Sequence, residues 1–260
     1  MLITSLSNAT VKLLASLRLE KYRDENGLFL VEGGRIIEDA IAAGAVPKIV
    51  VVMENAANTL AQAACLNAGG AVMHVTLEVM AKITHKDNPQ NVAAAFPTAR
   101  STFDQLLPTK GDVYVALDRI RDPGNLGTII RTAHAVNAQG VLLVGACCDP
   151  YTFESVRATT GSIFHVPIYE GSEESFLSLI KSWPGSVVGA AASGSSHYRQ
   201  TEYKKPVLVV MGTEQSGLSS AITDVCNKIV HIPMYGSAES LNVSVATGVL
   251  LYGVREALKG

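Results

Sequence analysis

The stretch Gly236–Tyr252, "GSAESLNVSVATGVLLY", begins with Ser237, Ser240, Asn242 and Ser244 and runs into a segment that is apolar nearly all round. Polar side chains cost free energy to bury unless each finds a partner. Capping by Ser240 would satisfy one or two N–H groups of the first turn. It would leave Asn242 and Ser244 unexplained, with Ser240 and Ser244 on one helix face and Asn242 off it. A pocket with converging donors and acceptors at the mouth of a buried helix accounts for all three.

This stretch follows the apolar run "KIVHIP" (228–233), and four more such runs precede it from residue 113 onward: "VYVALD", "GVLLVG", "SVVGAA" and "PVLVVMG". Continuous Val/Leu/Ile strands separated by helical segments predict a parallel sheet covered on both faces. Ligands of such sheets bind at the carboxyl ends of the strands. The informative residues are therefore expected just after "VALD", "VVMG" and "VHIP".

After "VALD" comes "RIRDPGNLGTIIR" (119–131), where Pro123 and Gly124 make a tight loop and Leu126, Ile129, Ile130, Ala133 and Val136 recur at helical spacing. The spacing predicts a helix from about Asn125, with Gly124, Thr128 and Arg131 on another face. Two readings stand: Asn125 as N-cap with a solvated Arg131, or both as part of a site. After "VVMG" comes "TEQSGLS" (213–219), which has phosphate-loop glycine spacing from Gly212. Leu218 stands where that loop needs Lys, and Glu214 would put negative charge in the anion nest, which excludes nucleoside triphosphate binding.

Between residues 28 and 97 the runs "LFLVEG", "RIIEDAIAAG", "KIVVVM", "ANTLAQAACLNA" and "NVAAAF" predict a smaller α/β domain. "PTARSTFDQLLPTKGD" (97–112) breaks the pattern with two prolines and reads as a linker. The expected organisation is a first domain over 1–97, a linker over 98–111 and a second domain over 112–260.

With 48% hydrophobic and 17% charged residues, the 260-residue chain is an ordinary globular one, and a net charge of −2 provides no global basic field, so any nucleic-acid contact must use local patches. Cys65, Cys147, Cys148 and Cys226 form no C-x-x-C pair, and His134, His165, His197 and His231 show no ligand spacing, so no metal is expected. Reduced thiols fit a cytoplasmic protein. The first residues lack a basic segment followed by an apolar one, and no run reaches membrane-span length, so no membrane association is expected.

Taken together, "DPGNLGTIIRTA", "VVMGTEQSGLS" and "IPMYGSAESLNVSVATGVLLY" resemble the three motifs of the SpoU (TrmH-type) RNA ribose 2′-O-methyltransferases of the SPOUT superfamily, over residues 113–258. Upstream, "SLSNATVKLLASLRLEKYRDENGLFLVEGGRIIEDA" resembles the ribosomal-protein-like RNA-binding domain that many members carry. "PQNVAAAF" resembles its end, with Asn91 where members often have Gly; Asn is the next-best occupant if that turn needs positive φ.

The resemblance implies an α/β fold whose carboxy-terminal parallel-sheet domain is tied in a deep trefoil knot near residues 212–242. It implies an S-adenosylmethionine cleft lined by Gly212, Ile232 and Leu241, with Met234 and Ser240 beside them. It also implies a homodimer through the knotted domain, for which the helix 241–258 is a candidate element; a helix buried within one chain explains the same composition. Arg131 stands at the implied reaction centre, as electrostatic stabiliser or proton acceptor; because guanidinium groups hold their proton, stabilisation is the favoured role. Asn125 would orient the ribose or phosphate, Glu214 would fix Arg131 or the knot loops, and Asn242 and Ser240 would act near the reacting centre.

Ribosomal RNA of the large subunit is the expected substrate, with transfer RNA and a non-catalytic RNA-binding role as alternatives. The absence of a G-x-G-x-x-G after a strand argues against an oxidoreductase. Lys12, Arg18, Lys21 and Arg23 are interleaved with Glu20, Asp24 and Glu25. They read either as a solvated helix face or, with Arg35, Lys204 and Lys205, as a face for RNA.

Overall fold

The computed structural model describes residues 2–213 and 215–259. They pack as two compact units, one formed by 2–98 with 149–164 and the other by 99–148 with 165–213 and 215–259.

The first unit opens with β1 (Leu2–Ile3), α1 (Ala9–Ser16), α2 (Glu20–Asn26), β2 (Leu28–Glu32), α3 (Gly34–Ala42), β3 (Ile49–Met53), α4 (Thr59–Asn67), β4 (Ala71–Val75), α5 (Leu77–Thr84) and β5 (Val92–Pro97). The sheet order is β1-β4-β3-β5-β2, with β5 antiparallel to both neighbours and the other pairs parallel. Val11, Leu14 and Leu17 meet Val79, Met80 and Ile83 of α5 over Leu30, Val51 and Met73. The other face is covered by α3 and α4, which bury Ile37, Ala40, Ala61 and Cys65. Asn91 is not among the positive-φ residues, so it needs no glycine-like freedom.

The second unit adds β6 (Ser101–Thr102), β7 (Val113–Asp118), α6 (Pro123–Ala135) and β8 (Val141–Val144). The chain then returns to the first unit for α7 (Phe153–Thr159). It resumes with β9 (Ile168–Gly171), α8 (Glu173–Lys181), β10 (Val187–Ala190), β11 (Ser196–His197), β12 (Val207–Met211), α9 (Ser220–Val225), β13 (Lys228–His231) and α10 (Val243–Ala257). All eight strands are parallel, in the order β11-β13-β10-β12-β7-β8-β9-β6. Alternate residues of each strand face opposite sides. Tyr114, Ala116, Leu208 and Val210 pack on Phe176 and Ile180 of α8 and Ile222 of α9, whereas α10 lies against β7, β12 and α6.

The domain organisation departs from the sequence reading in two places. The stretch 98–111 is not a bare linker: β6 pairs with β9, and Phe103 and Leu106 are buried in the core of the second unit. Their apolar surface outweighs the two prolines. The second departure is the excursion 149–164. Its Tyr151 and Phe164 rings lie 4.8 and 5.7 Å from Phe29, and Phe164 lies 4.9 Å from Phe96. Asp149 accepts from Arg23 Nε at 2.7 Å and also from Nη2, while Arg23 Nη1 donates to the Leu17 and Arg18 carbonyls at 2.8 and 2.9 Å. Arg23 is thus buried in an ion pair and does not belong to a solvated or RNA-facing stripe.

Candidate cofactor cavity and catalytic residues

A cavity of about 710 Å³ lies at the carboxyl ends of β10, β12 and β13. Gly212, Ile232, Met234, Ser240 and Leu241 all line it. Its walls mix apolar groups (Met211, Leu218, Ile229, Val230, Leu250) with hydroxyls from Thr213, Ser216 and Ser240, the balance expected of a small-molecule site. Ala190 to Ser193 form a further wall that the motif reading missed; applying the strand-end rule to "SVVGAA" would have found it.

Thr213 and Gly217 exchange backbone hydrogen bonds at 3.2 and 2.9 Å, and the Ser216 amide donates to Thr213 Oγ1 at 3.0 Å. Gly217 adopts φ 65°. This tight turn lies directly against Gly212, where an added Cβ would stand 2.1 Å from the Gly217 carbonyl carbon and 2.3 Å from the Leu218 nitrogen. Gly212→Ala therefore has to push the turn away from β12. An overpacking cost of about 1–3 kcal/mol, if borne by the cofactor wall, corresponds to a loss of cofactor affinity of about fivefold to 150-fold, measurable by titration calorimetry, with the fold retained.

Asp118, fully buried at the end of β7, anchors the far end of that turn. It accepts from the Ser219 amide at 2.9 Å and from Arg119 Nε and Nη2 at 2.8 and 2.9 Å. Arg119 takes φ 57° to make this fork, and its guanidinium is pushed to a higher pKa chiefly by the hydrogen bond to Asp118. Neither residue was marked by a motif. Nearby Cys147 is pushed up to about 11 by burial, and Cys226 to about 12, so both thiols stay protonated near neutral pH.

The helix caps differ from the sequence reading. Asp122, not Asn125, caps α6, accepting from the Asn125 amide at 2.6 Å. Asn242, not Ser240, caps α10: its Oδ1 accepts from the Ser244 amide at 2.9 Å and the Ser244 hydroxyl at 2.6 Å. Ser240 precedes the helix and so shares no helix face with Ser244. Asn242 Nδ2 then donates to Asn125 Oδ1 at 3.0 Å, joining the first and third motif stretches beside the cavity-lining Leu241 and Val243. The polar entry of the opening stretch is accounted for by a cap whose other amide end reaches a second element.

Arg131 is exposed on α6 and does not line the cavity; among the described residues it pairs with no carboxylate. Glu214 lies outside the described residues. Among the described residues no group of three or more His, Cys, Asp or Glu could hold a metal ion. Tyr235, between cavity residues Met234 and Ser240, is 94% exposed.

The profile of the SpoU rRNA Methylase family matches residues 112–252, more than half of the chain and all three motif stretches. The chain belongs to the SpoU rRNA methylase family. A second profile, the MRM3-like substrate binding domain, matches residues 8–94 of this SpoU protein. Its fold is that of an AdoMet-bound rRNA methyltransferase from Sinorhizobium meliloti, 41% identical with a TM-score of 0.92, covering 99% of this chain and 98% of that one. The SpoU methyltransferase AviRb from Streptomyces viridochromogenes, in complex with AdoMet, is 28% identical with a TM-score of 0.84, covering 97% of this chain and 100% of that one. Among curated relatives, the 23S rRNA (guanosine(2553)-2′-O)-methyltransferase RlmP of Bacillus subtilis (strain 168) is 28% identical over 97% of this chain and 98% of its own length.

Proposed function

We propose that this SpoU protein transfers a methyl group from S-adenosylmethionine to a ribose 2′-hydroxyl of large-subunit ribosomal RNA. The observation that carries the reading is the strand-end cavity with the Asn125–Asn242 hydrogen bond beside it. The cavity fits the cofactor: about 710 Å³ is ample for a nucleoside with a short side chain, and its lining is apolar with a few hydroxyls. Relatives named as rRNA 2′-O-methyltransferases support the substrate class.

S-adenosylmethionine supplies an activated methyl group, so the chain has to position a weak nucleophile and stabilise the charge it develops. Gly212, Ile232 and Leu241, with Met234 and Ser240, form the cofactor-holding wall. The linked amides of Asn125 and Asn242 orient the ribose or a neighbouring phosphate at the cavity edge. Arg131 stabilises the developing alkoxide, and Glu214 fixes Arg131 or the loops around the cavity. A trefoil knot over 212–242 belongs to the same reading.

The decisive experiment is transfer of labelled methyl to ribosomal and transfer RNA purified from cells lacking the protein, followed by mapping. Label at one ribose 2′-oxygen of large-subunit RNA is expected. Label in transfer RNA alone would change the substrate, and cofactor binding with no label in either pool would favour a non-catalytic RNA-binding role.

The reading includes a cytoplasmic homodimer. No helix among the described residues is long and apolar enough to cross a membrane. Val245 and Tyr252 of α10 are both about half exposed, and with Val249 and Gly248 they share a shallow apolar groove with Thr128 and Thr132 of α6. A second copy of this face would cover it. Sedimentation of the Val245→Lys/Tyr252→Lys variant is expected to show monomers where the unaltered chain shows dimers; identical profiles would remove this face from the interface.

A further inference from the structure

The first unit holds a cavity of about 720 Å³ walled entirely by its own residues. Its apolar lining comes from Leu30 and Val31 of β2, Ile36 of α3, and Phe153 and Val156 of α7. Phe153 also packs on the core of that unit, so its ring is held in place. The charged lining is Arg35, Lys86 and Arg157 against Glu32 and Glu154, an excess of one positive charge. Lys86 is occupied by Glu32, which also accepts from the Gln90 amide at 2.6 Å. Arg35 and Arg157 are exposed, and among the described residues neither has a carboxylate partner.

We propose that this cavity receives one unstacked nucleotide of single-stranded RNA, its base against Phe153 and its flanking phosphates on Arg35 and Arg157. The proposal rests on RNA being the substrate. Guanidinium groups have only donors to offer and bind phosphate oxygens in a fork. A bare anion would leave the apolar lining uncovered, whereas a base covers it. RNA is commonly read through such splayed-out bases stacked on aromatic side chains. Gly33, at φ 110° and with no atom within 4 Å of where a Cβ would stand, leaves the approach to the first turn of α3 open. Phe153 and Arg157 lie outside the matched substrate-binding segment 8–94, so the site is completed by residues from the other half of the sequence.

The test uses the full chain and a fluorescein-labelled ten-nucleotide RNA of mixed sequence, with affinity measured across a salt series. For Arg35→Ala/Arg157→Ala, the expected result is at least tenfold weaker binding. The log–log salt slope should fall by about 1.4, at roughly 0.7 per phosphate contact on a single strand. Phe153→Leu, which keeps apolar volume but removes the π-face, is expected to weaken binding about fivefold or more. A blunt duplex of the same sequence should bind more weakly than the single strand. Decamer affinity within twofold of the unaltered chain in the double variant, or a duplex that binds equally well, overturns the proposal. S-adenosylmethionine affinity, measured on the same preparations, should stay within twofold and so reports an intact second unit. The two readings also fail separately. Lost decamer binding in the double variant, with no methyl transfer by the unaltered chain, leaves the cavity standing and removes the catalytic reading. Methyl transfer by the unaltered chain, with decamer binding unchanged in the variant, does the reverse.

Discussion

Replacing Arg131 with alanine is expected to lower single-turnover methyl transfer by about 10²–10³-fold, the usual effect of removing one group that stabilises a developing oxyanion, while S-adenosylmethionine affinity stays within twofold. The separation of the two effects follows from geometry. Arg131 is exposed on α6 and does not line the cofactor cavity, so its loss leaves that wall intact. Arg131→Lys retains the charge but not the planar five-donor fork, and is expected to fall between the two. Rapid-quench measurement with saturating enzyme reads the chemical step directly. A rate for Arg131→Ala within a few-fold of the unaltered chain would take Arg131 out of the reaction.

The largest effect on stability is expected from Arg23→Ala. The Arg23 and Asp149 side chains are each 2% exposed, and removing the guanidinium leaves a carboxylate buried without its cation. Such a loss costs about 3–5 kcal/mol, which for a unit of this size lowers its melting temperature by roughly 10–20 °C. Two carbonyls, those of Leu17 and Arg18, lose their donor in the same step. The double variant Arg23→Met/Asp149→Leu should recover much of the loss, because it replaces both charges by apolar groups. Calorimetric scans of the three proteins check both statements; a single variant that melts with the unaltered chain would show the pair to be dispensable.

The strands most legible in the sequence are those with unbroken apolar runs, such as β8 and β12, since burial on both faces leaves no polar residue to blur them; β7 and β13 were legible through their apolar centres, although Asp118, Lys228 and His231 stand at their ends. β4 carries His74 and β9 carries Tyr169 and Glu170, and both escaped that reading. The caps were misplaced by two or three residues because Asp122 and Asn125, like Ser240 and Asn242, are all competent capping types, and only backbone geometry chooses between them. The cavity was legible because strand ends in a parallel sheet are where ligands go. Burial of Arg23 was not, since its partner lies 126 positions away and nothing local distinguishes it from Lys21, which sits exposed beside Glu25.

The return of residues 149–164 to the first unit sets a timetable for synthesis. A ribosome that has released residue 98 has not yet made the tyrosine, the phenylalanines and the aspartate that close that unit. At about 5–20 residues per second, the stretch up to residue 164 takes roughly 3–13 s to appear. Through that interval the nascent chain holds Arg23 without its counter-charge and Phe29 and Phe96 without their ring partners from that return. Completion of the amino-terminal half is thereby made conditional on prior translation of β6, β7 and β8, which belong to the other sheet. The first unit is still finished before the second, but only after three strands of the second have already been made.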